Sequence, residues 1–245
     1  MIKIGQNIHL IPGDLSLSNF ESDLSEAWGN CLDRKEPAFR ITSSLYRIAI
    51  SAGRKINADM ILMDVGPNFG AINRAALIGA DAIVVPLAPD LFSIQGLRNL
   101  GPTLKNWRKD WKKRLDENPA DDLELPQGLM TPIGYVILQF GIKDSRPVKA
   151  YDKWSRRIPG TYAEKVLDES LKPVMSNELD ENCLGLIKHY RSLMPMAMEV
   201  RKPIFELKPA DGAIGAHVTS VKNCHQDFKS LASKVEAKIW GSQEA

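Results

Sequence analysis

A chain of 245 residues with 44% hydrophobic side chains can bury one substantial core, so a single α/β domain over residues 1–245 is the expectation and two full domains would be crowded. Thirty-two Lys and Arg against 30 Asp and Glu leave a net charge of +2, which excludes bulk charge as the basis of partner choice. No apolar run approaches the roughly 20 residues of a membrane span, and MIKIGQNIHLIPG lacks the apolar stretch of a signal peptide, so a soluble protein without a membrane partner is expected. Cys31, Cys183 and Cys224 are odd in number, widely spaced and without His at metal-ligand spacing, which points to reduced, packed thiols in a cytoplasm-like compartment.

In chain order, Asn7 to Ile11 reads as a strand stopped by Pro12-Gly13. A helix follows with Phe20, Leu24, Ala27, Trp28 and Cys31 on one face and Ser18 as its N-cap. A second helical pattern covers about 40–56, with Leu45, Ile48, Ala52 and Ile56 inward. Met60-Ile61-Leu62-Met63 is too short for a helix and shows no alternation, so it reads as a strand covered on both faces. Gly66, Pro67 and Gly70 then form a tight loop, and 71–79 looks helical.

The run 81–89 is a further buried strand, with Pro86 where the ladder needs no donor. Ser93 caps the next helix, whose stripe runs from Ile94 through Trp107 and Trp111 to Leu115, with a kink or split expected at Gly101-Pro102. Residues 116–131 are an acidic, exposed loop, and Ile133 to Leu138 the next strand. The charged stretch 143–182 is mostly helical in tendency, broken at Ile158-Pro159-Gly160. Lys202 to Leu207 reads as a last short strand, 209–212 as a turn, and Ile214, Val221, Cys224, Phe228, Leu231, Val235 and Ile239 as one face of a closing helix. Strands alternating with helices give a doubly wound, mostly parallel sheet, whose ligands bind at strand carboxyl ends, where Asp64, Pro89 and Gln139 fall.

Asp64 is the most informative single residue, because a carboxylate after a buried strand and before a glycine-rich loop and a helix is positioned to hold Mg²⁺ near a γ-phosphate. Its bland alternative is a strand-end residue bonding loop amides or capping the helix. The phosphate cradle that should accompany it is missing, since none of the 17 glycines is followed by lysine.

A basic run, Lys105, Arg108, Lys109, Lys112, Lys113 and Arg114, interleaves with Trp107 and Trp111 on one helix. It could engage DNA phosphates in a sequence-blind, salt-dependent way, although a solvated face is the commoner outcome. Arg146, Lys149, Lys153, Arg156 and Arg157 form a second basic set, diluted by Asp144 and Asp152. The four histidines lie on different elements and are assigned no catalysis.

ADMILMDVGPNFGAINRAALIGADAIVVPLAPDLFSIQGL together with RKPIFELKPADGAIG resembles the ParA/MinD family of deviant P-loop ATPases over 58–100 and 200–240. The resemblance implies a SIMIBI-type sheet, incomplete here at its N-terminus because the first strand and the K-G-G-x-G-K-[ST] loop have no counterpart. It implies ATP and Mg²⁺ as family cofactors, slow hydrolysis coupled to dimerisation, and nonspecific DNA and a partition adaptor as partners. Localisation would be cytoplasmic, or on the nucleoid if DNA is bound.

By the same resemblance Asp64 carries the catalytic and Mg²⁺-water role, while Pro67, Asn68 and Gly70 shape the γ-phosphate side and Asp211 lies near the base. Pro89 and Gln139 join the nucleotide site through their strand ends. Without the phosphate loop, the chain alone is not expected to hydrolyse ATP or to hold a cofactor; the alternative is a non-enzymatic DNA- or protein-interaction module on a degenerate ParA fold. An absent first strand also leaves open sheet edges, so a self-association tendency or poor stability is expected.

Overall fold

A computed structural model describes residues 1–140, 142–143, 146–147, 153–170 and 176–241. The chain falls into two compact units, one formed by Met1–Asp81 with Leu104–Thr131, the other by Ala82–Thr103 with Pro132–Ala245.

In the first unit a small antiparallel pair, β1 (Ile2–Lys3) and β2 (His9–Leu10), precedes a 3-10 turn at Leu15–Phe20. Asp14 caps this turn by accepting the Ser16 N–H at 2.7 Å, so Ser18 lies inside the turn and is not the cap. Next come α1 (Glu21–Asn30), α2 (Glu36–Thr42) and α3 (Ser44–Ile56). The single helix expected over 40–56 is therefore two, separated at Ser43, whose hydroxyl and amide both bond back to the Phe39 carbonyl. Ile48, expected inward, is exposed. Asn57 adopts the left-handed conformation that ends α3.

The largest departure lies at Met60–Met63, expected as a buried strand. It forms no strand, and Leu62 is 83% exposed. Apolar character alone does not make a strand, because the amides and carbonyls of an extended segment need a ladder partner before burial is favourable. After the loop, α4 (Ala71–Ile78) forms as expected. It packs on α1 through Leu24, Ala71 and Ala75, where the small alanines let the two helices approach.

β3 (Ala82–Leu87) leads into α5 (Leu91–Asp116), a helix whose two halves belong to different units. Its leading cap is Asp90, which accepts the Ser93 N–H at 2.7 Å; Ser93, expected to cap, instead accepts the Ala88 N–H at 3.0 Å. The helix continues through Pro102 without the expected split. Its C-terminal half closes the first unit. Trp111, fully buried, stacks on Trp28 at 5.8 Å and donates its indole N–H to the Pro126 carbonyl at 2.8 Å, so the acidic loop expected to be wholly exposed folds back over this ring.

The second unit is built on a three-stranded sheet in the order β3-β4-β7, from β3, β4 (Thr131–Phe140) and β7 (Cys183–Lys188). β4 and β7 run parallel with Tyr135 opposite Cys183 and Ile137 opposite Leu186. Between them lie β5 (Ile142–Lys143), β6 (Arg146–Pro147) and α6 (Ile158–Lys165). Ile158-Pro159-Gly160, expected to break a helix, starts one, because proline suits the first turn where its missing N–H has no partner to lose.

Cys183–Lys188 was not foreseen as a strand, and the strand expected at Lys202–Leu207 is absent. A 3-10 turn occupies Ile204–Glu206 instead. Asp211 accounts for this, gathering the Lys202 ammonium and the Lys208 N–H on its carboxylate and so curling the segment. α7 (Leu193–Val200) and α8 (Ala216–Trp240) complete the unit. Leu184, Ile187, Tyr190, Leu193, Val221 and Cys224 form its core, and all three thiols are buried.

Elsewhere in the unit the buried Tyr135 hydroxyl donates to Asp180 at 2.7 Å, beside Asn177, while its ring packs on Tyr162 at 5.1 Å. Burial, reinforced by the Asp180 carboxylate, pushes the Tyr135 phenol far above its ordinary range, so it stays a donor at every physiological pH. Tyr135→Phe keeps the ring and deletes the donor, and urea unfolding should show a loss of about 1.5 kcal/mol.

Candidate functional site: the Asp64–Gly70 loop and the basic helix

The loop after Asp64 is pinned from within. Asn73, only 7% exposed on α4, donates its side-chain amide to the Gly66 and Asn68 carbonyls, each at 2.8 Å, and to Asn68 Oδ1 at 3.1 Å. Asn68 Oδ1 also accepts the Gly70 N–H at 2.9 Å, a local side-chain turn that fixes the entry to α4. Pro67 sits exposed at the crest, and Asp64 is exposed at the start.

Glu21, at the first position of α1, supplies the other anchor. Its Oε1 accepts the Ala71 N–H and its Oε2 the Ile72 N–H at 3.0 Å, so a carboxylate rests on the positive end of α4. At Gly70 a Cβ would stand 2.7 Å from Glu21 Oε1 and 2.9 Å from Asn68 Oδ1, so a larger residue would oblige these two side-chain ends to shift.

For Mg²⁺, Asp64 offers one exposed carboxylate, enough only when phosphate oxygens complete the shell. Among the described residues no three His, Cys, Asp or Glu gather into a metal-holding group. For a triphosphate the donor set does not fit. The Gly70, Ala71 and Ile72 amides are committed to Asn68 and Glu21, and no glycine in the chain precedes a lysine.

The other expected nucleotide residues lie in the second unit. Pro89 is buried between β3 and α5, and Gln139 is the penultimate residue of β4, with its side chain outside the described residues. Asp211 ends a 3-10 turn before Gly212, which takes the left-handed φ of 92°. Hydrogen bonds from Lys202 and then from the Lys208 backbone hold the Asp211 carboxyl below its ordinary range, so this carboxylate is already engaged within its own turn.

On α5 the six basic residues divide. Arg108 turns inward, donating to the Leu129 and Met130 carbonyls at 2.9 and 2.8 Å. Arg114, 6% exposed, donates to the Trp28 and Asp110 carbonyls and lies 4.0 Å over the Trp28 ring, its pKa drawn down by burial. Lys105, Lys109, Lys112 and Lys113 are exposed at i, i+4, i+7 and i+8, which places them on one side of the helix. Trp107 is occupied by an edge contact with Phe69, and Trp111 by the core, so neither ring is presented for base stacking. In the second basic set Lys149 lies outside the described residues, as does the Arg146 side chain.

Sequence reasoning missed Glu21 and Asn73. Glu21 carried no local signal, since its partners lie 50 residues on. Asn73, a lone amide among the alanines and isoleucines of α4, could have been flagged as a polar side chain needing buried partners.

A family model described as an AAA domain matches residues 2–117. An uncharacterized protein of Methanocaldococcus jannaschii is 30% identical over 43% of this chain and 40% of its own length. The cell division protein PomZ of Myxococcus xanthus is 26% identical over 45% of this chain and 30% of its own. These matches agree with a resemblance to ParA-like proteins over just under half of the chain. The solved structure of protein DIP2308 from Corynebacterium diphtheriae superposes with a TM-score of 0.61 at 21% identity, over 95% of this chain and 66% of that one, and shares the α/β fold. The chain thus aligns with less than half the length of these two curated relatives. Among its described residues no helix is long and apolar enough to cross a membrane.

Proposed function

We propose that this chain is a ParA-like DNA partition or positioning domain that contributes the Asp64 side of a nucleotide site and cannot hydrolyse ATP alone. The observation that carries the reading is the Asp64–Gly70 loop, held at the head of α4 by Asn73 and Asn68 as a preformed wall. A wall of this kind orients groups without supplying charge to a phosphate, so the phosphate grip has to come from elsewhere. The exposed lysines of α5 are the surface for nonspecific DNA, with an adaptor protein and a second copy as further partners and the nucleoid as the site of action.

Isothermal calorimetry of the purified chain with Mg²⁺-ATP tests the claim. No binding in the micromolar range is expected, and a clear micromolar isotherm would sink it.

A second reading is favoured by the Glu21 contact, which leaves the leading α4 amides committed to the protein itself: a non-enzymatic module that uses the fold for DNA or protein contacts. The two part on one measurement. Adding a chain that bears the K-G-G-x-G-K-[ST] loop restores hydrolysis dependent on Asp64 under the first reading and has no effect under the second.

A further inference from the structure

Between α1 and α2 runs a groove of about 350 Å³, lined by the buried Ala27 and Ala38 with Ile41 beside them. Its charges follow an order along α1. Asp23 and Glu26, both exposed, stand one turn apart, and Asn30 follows at i+7 from Asp23. The Lys35 ammonium donates to Asn30 Oδ1 at 2.9 Å, so the line along the groove reads negative, negative, positive. Nearby cations are spent: Lys35 lies 3.3 Å from Asp33, and Arg40 pairs with Glu36 at 2.6 Å. Among the described residues neither Asp23 nor Glu26 enters an ion pair, so two carboxylates on this rim lack a counter-charge.

The same unit carries the opposite series. On the exposed side of α5, Lys109, Lys112 and Asp116 stand at i, i+3 and i+7, with Lys113 adjacent, and read positive, positive, negative. Helices rise about 1.5 Å per residue, so two laid side by side and parallel bring these lines together charge for charge. Lys109 then faces Asp23, Lys112 faces Glu26, and Asp116 faces Lys35. Lysine stems are apolar and the groove is lined with alanine, so the methylenes have a surface to cover while the ammonium groups reach the carboxylates.

We propose that the groove between α1 and α2 seats the exposed side of α5 from a second copy of this chain. Each copy in such a pair still offers one groove or one lysine face, so further copies add head to tail. Under the function proposed above the same lysines are the DNA surface, and a seated copy and a duplex therefore exclude each other. That exclusion rests on the DNA reading; the contact itself does not.

Sedimentation equilibrium over a range of protein concentrations tests the contact in ~0.1 M and ~1 M salt, between which the screening length falls from about 10 Å to about 3 Å. The native chain should associate in the lower salt and be monomeric in the higher. Reversing either face, by Lys109→Glu with Lys112→Glu or by Asp23→Lys with Glu26→Lys, should weaken association at least about tenfold, because like charges then meet. The deciding arm is the equimolar mixture of the two variants. Every reversed face there finds a complementary one, so association should return. A native chain monomeric in the lower salt overturns the contact, as does a mixture that stays monomeric. Association indifferent to salt or to both reversals, the behaviour of an open strand edge, overturns it as well. Glu26→Lys alone leaves the first turn of α1 untouched and guards against a misfolded double variant; it should weaken association about fivefold, and no effect there sinks the proposal too. A lysine variant that loses self-association yet keeps its DNA salt slope touches only the DNA reading, and the reverse result touches only the contact.

Discussion

Gly101→Ala should destabilise the chain by about 3 kcal/mol or more, because the new methyl would have to displace backbone, which packed elements resist far more than a mobile side chain does. An ideal Cβ at Gly101 falls 1.6 Å from the Lys165 carbonyl oxygen and 3.0 Å from the Val166 Cα, where the end of α6 crosses α5. No rotamer relieves such an overlap, since a methyl has none. Gly96, five positions earlier in the same helix, is the internal control: nothing lies within 4 Å of its Cβ position. Gly96→Ala should therefore stabilise by about 0.5–1 kcal/mol, as expected when an exposed helical glycine gains propensity. Urea unfolding of both variants decides the matter, and equal effects at the two positions would show that α6 does not close on α5 in this way.

Reversing Lys109, Lys112 and Lys113 to glutamate should weaken DNA binding on the order of a hundredfold at ~0.1 M salt and flatten the dependence of log K on log salt by about 2.7, if each lysine neutralises one phosphate. These three side chains are exposed on one side of α5. The matching control is Arg108→Gln with Arg114→Gln. Both guanidiniums are spent on backbone carbonyls, at Leu129 and Met130 and at Trp28 and Asp110, so this pair should lower stability while leaving the salt slope unchanged. Fluorescence anisotropy with a random-sequence duplex across a salt series provides the measurement. An unchanged slope in the lysine variant would remove DNA from the list of partners for this face.

The split within the basic run shows how far residue type reads out role. Six basic residues within ten positions signalled a cationic helix, and the helix is there. Which cations face outward depended on Trp28 and on the 126–130 segment, brought to α5 by packing. Arg108 and Arg114 became structural because a guanidinium can bridge backbone carbonyls, and that of Arg114 also lies over the Trp28 ring.

The same division runs through the Asp64 region. Gly70 followed by Ala-Ile-Asn-Arg-Ala-Ala marked the start of α4, and the structure places it there. The apolar run before Asp64 was equally clear, yet it forms no strand, because a ladder needs two partners and composition describes only one. The reverse error occurred at Cys183–Lys188. Those six residues were assigned to no element, and pairing with β4 together with cover from Leu231 of α8 makes a strand of them.

By itself the sequence determined the α/β character of the chain, the positions of α4, β3, β4 and α8, its resemblance to ParA-like proteins, and the absence of any glycine-lysine pair in these 245 residues, since each follows from residues close together along the chain. Only the tertiary structure decided that Glu21 closes the head of α4, that Asn73 pins the loop, that Gly101 meets the end of α6, and that two of six basic residues are spent on backbone carbonyls. Those outcomes rest on contacts between residues far apart in the chain, 50 positions in the case of Glu21 and 86 in the case of Arg114. Local propensity carries no term for such contacts, so only packing can select them.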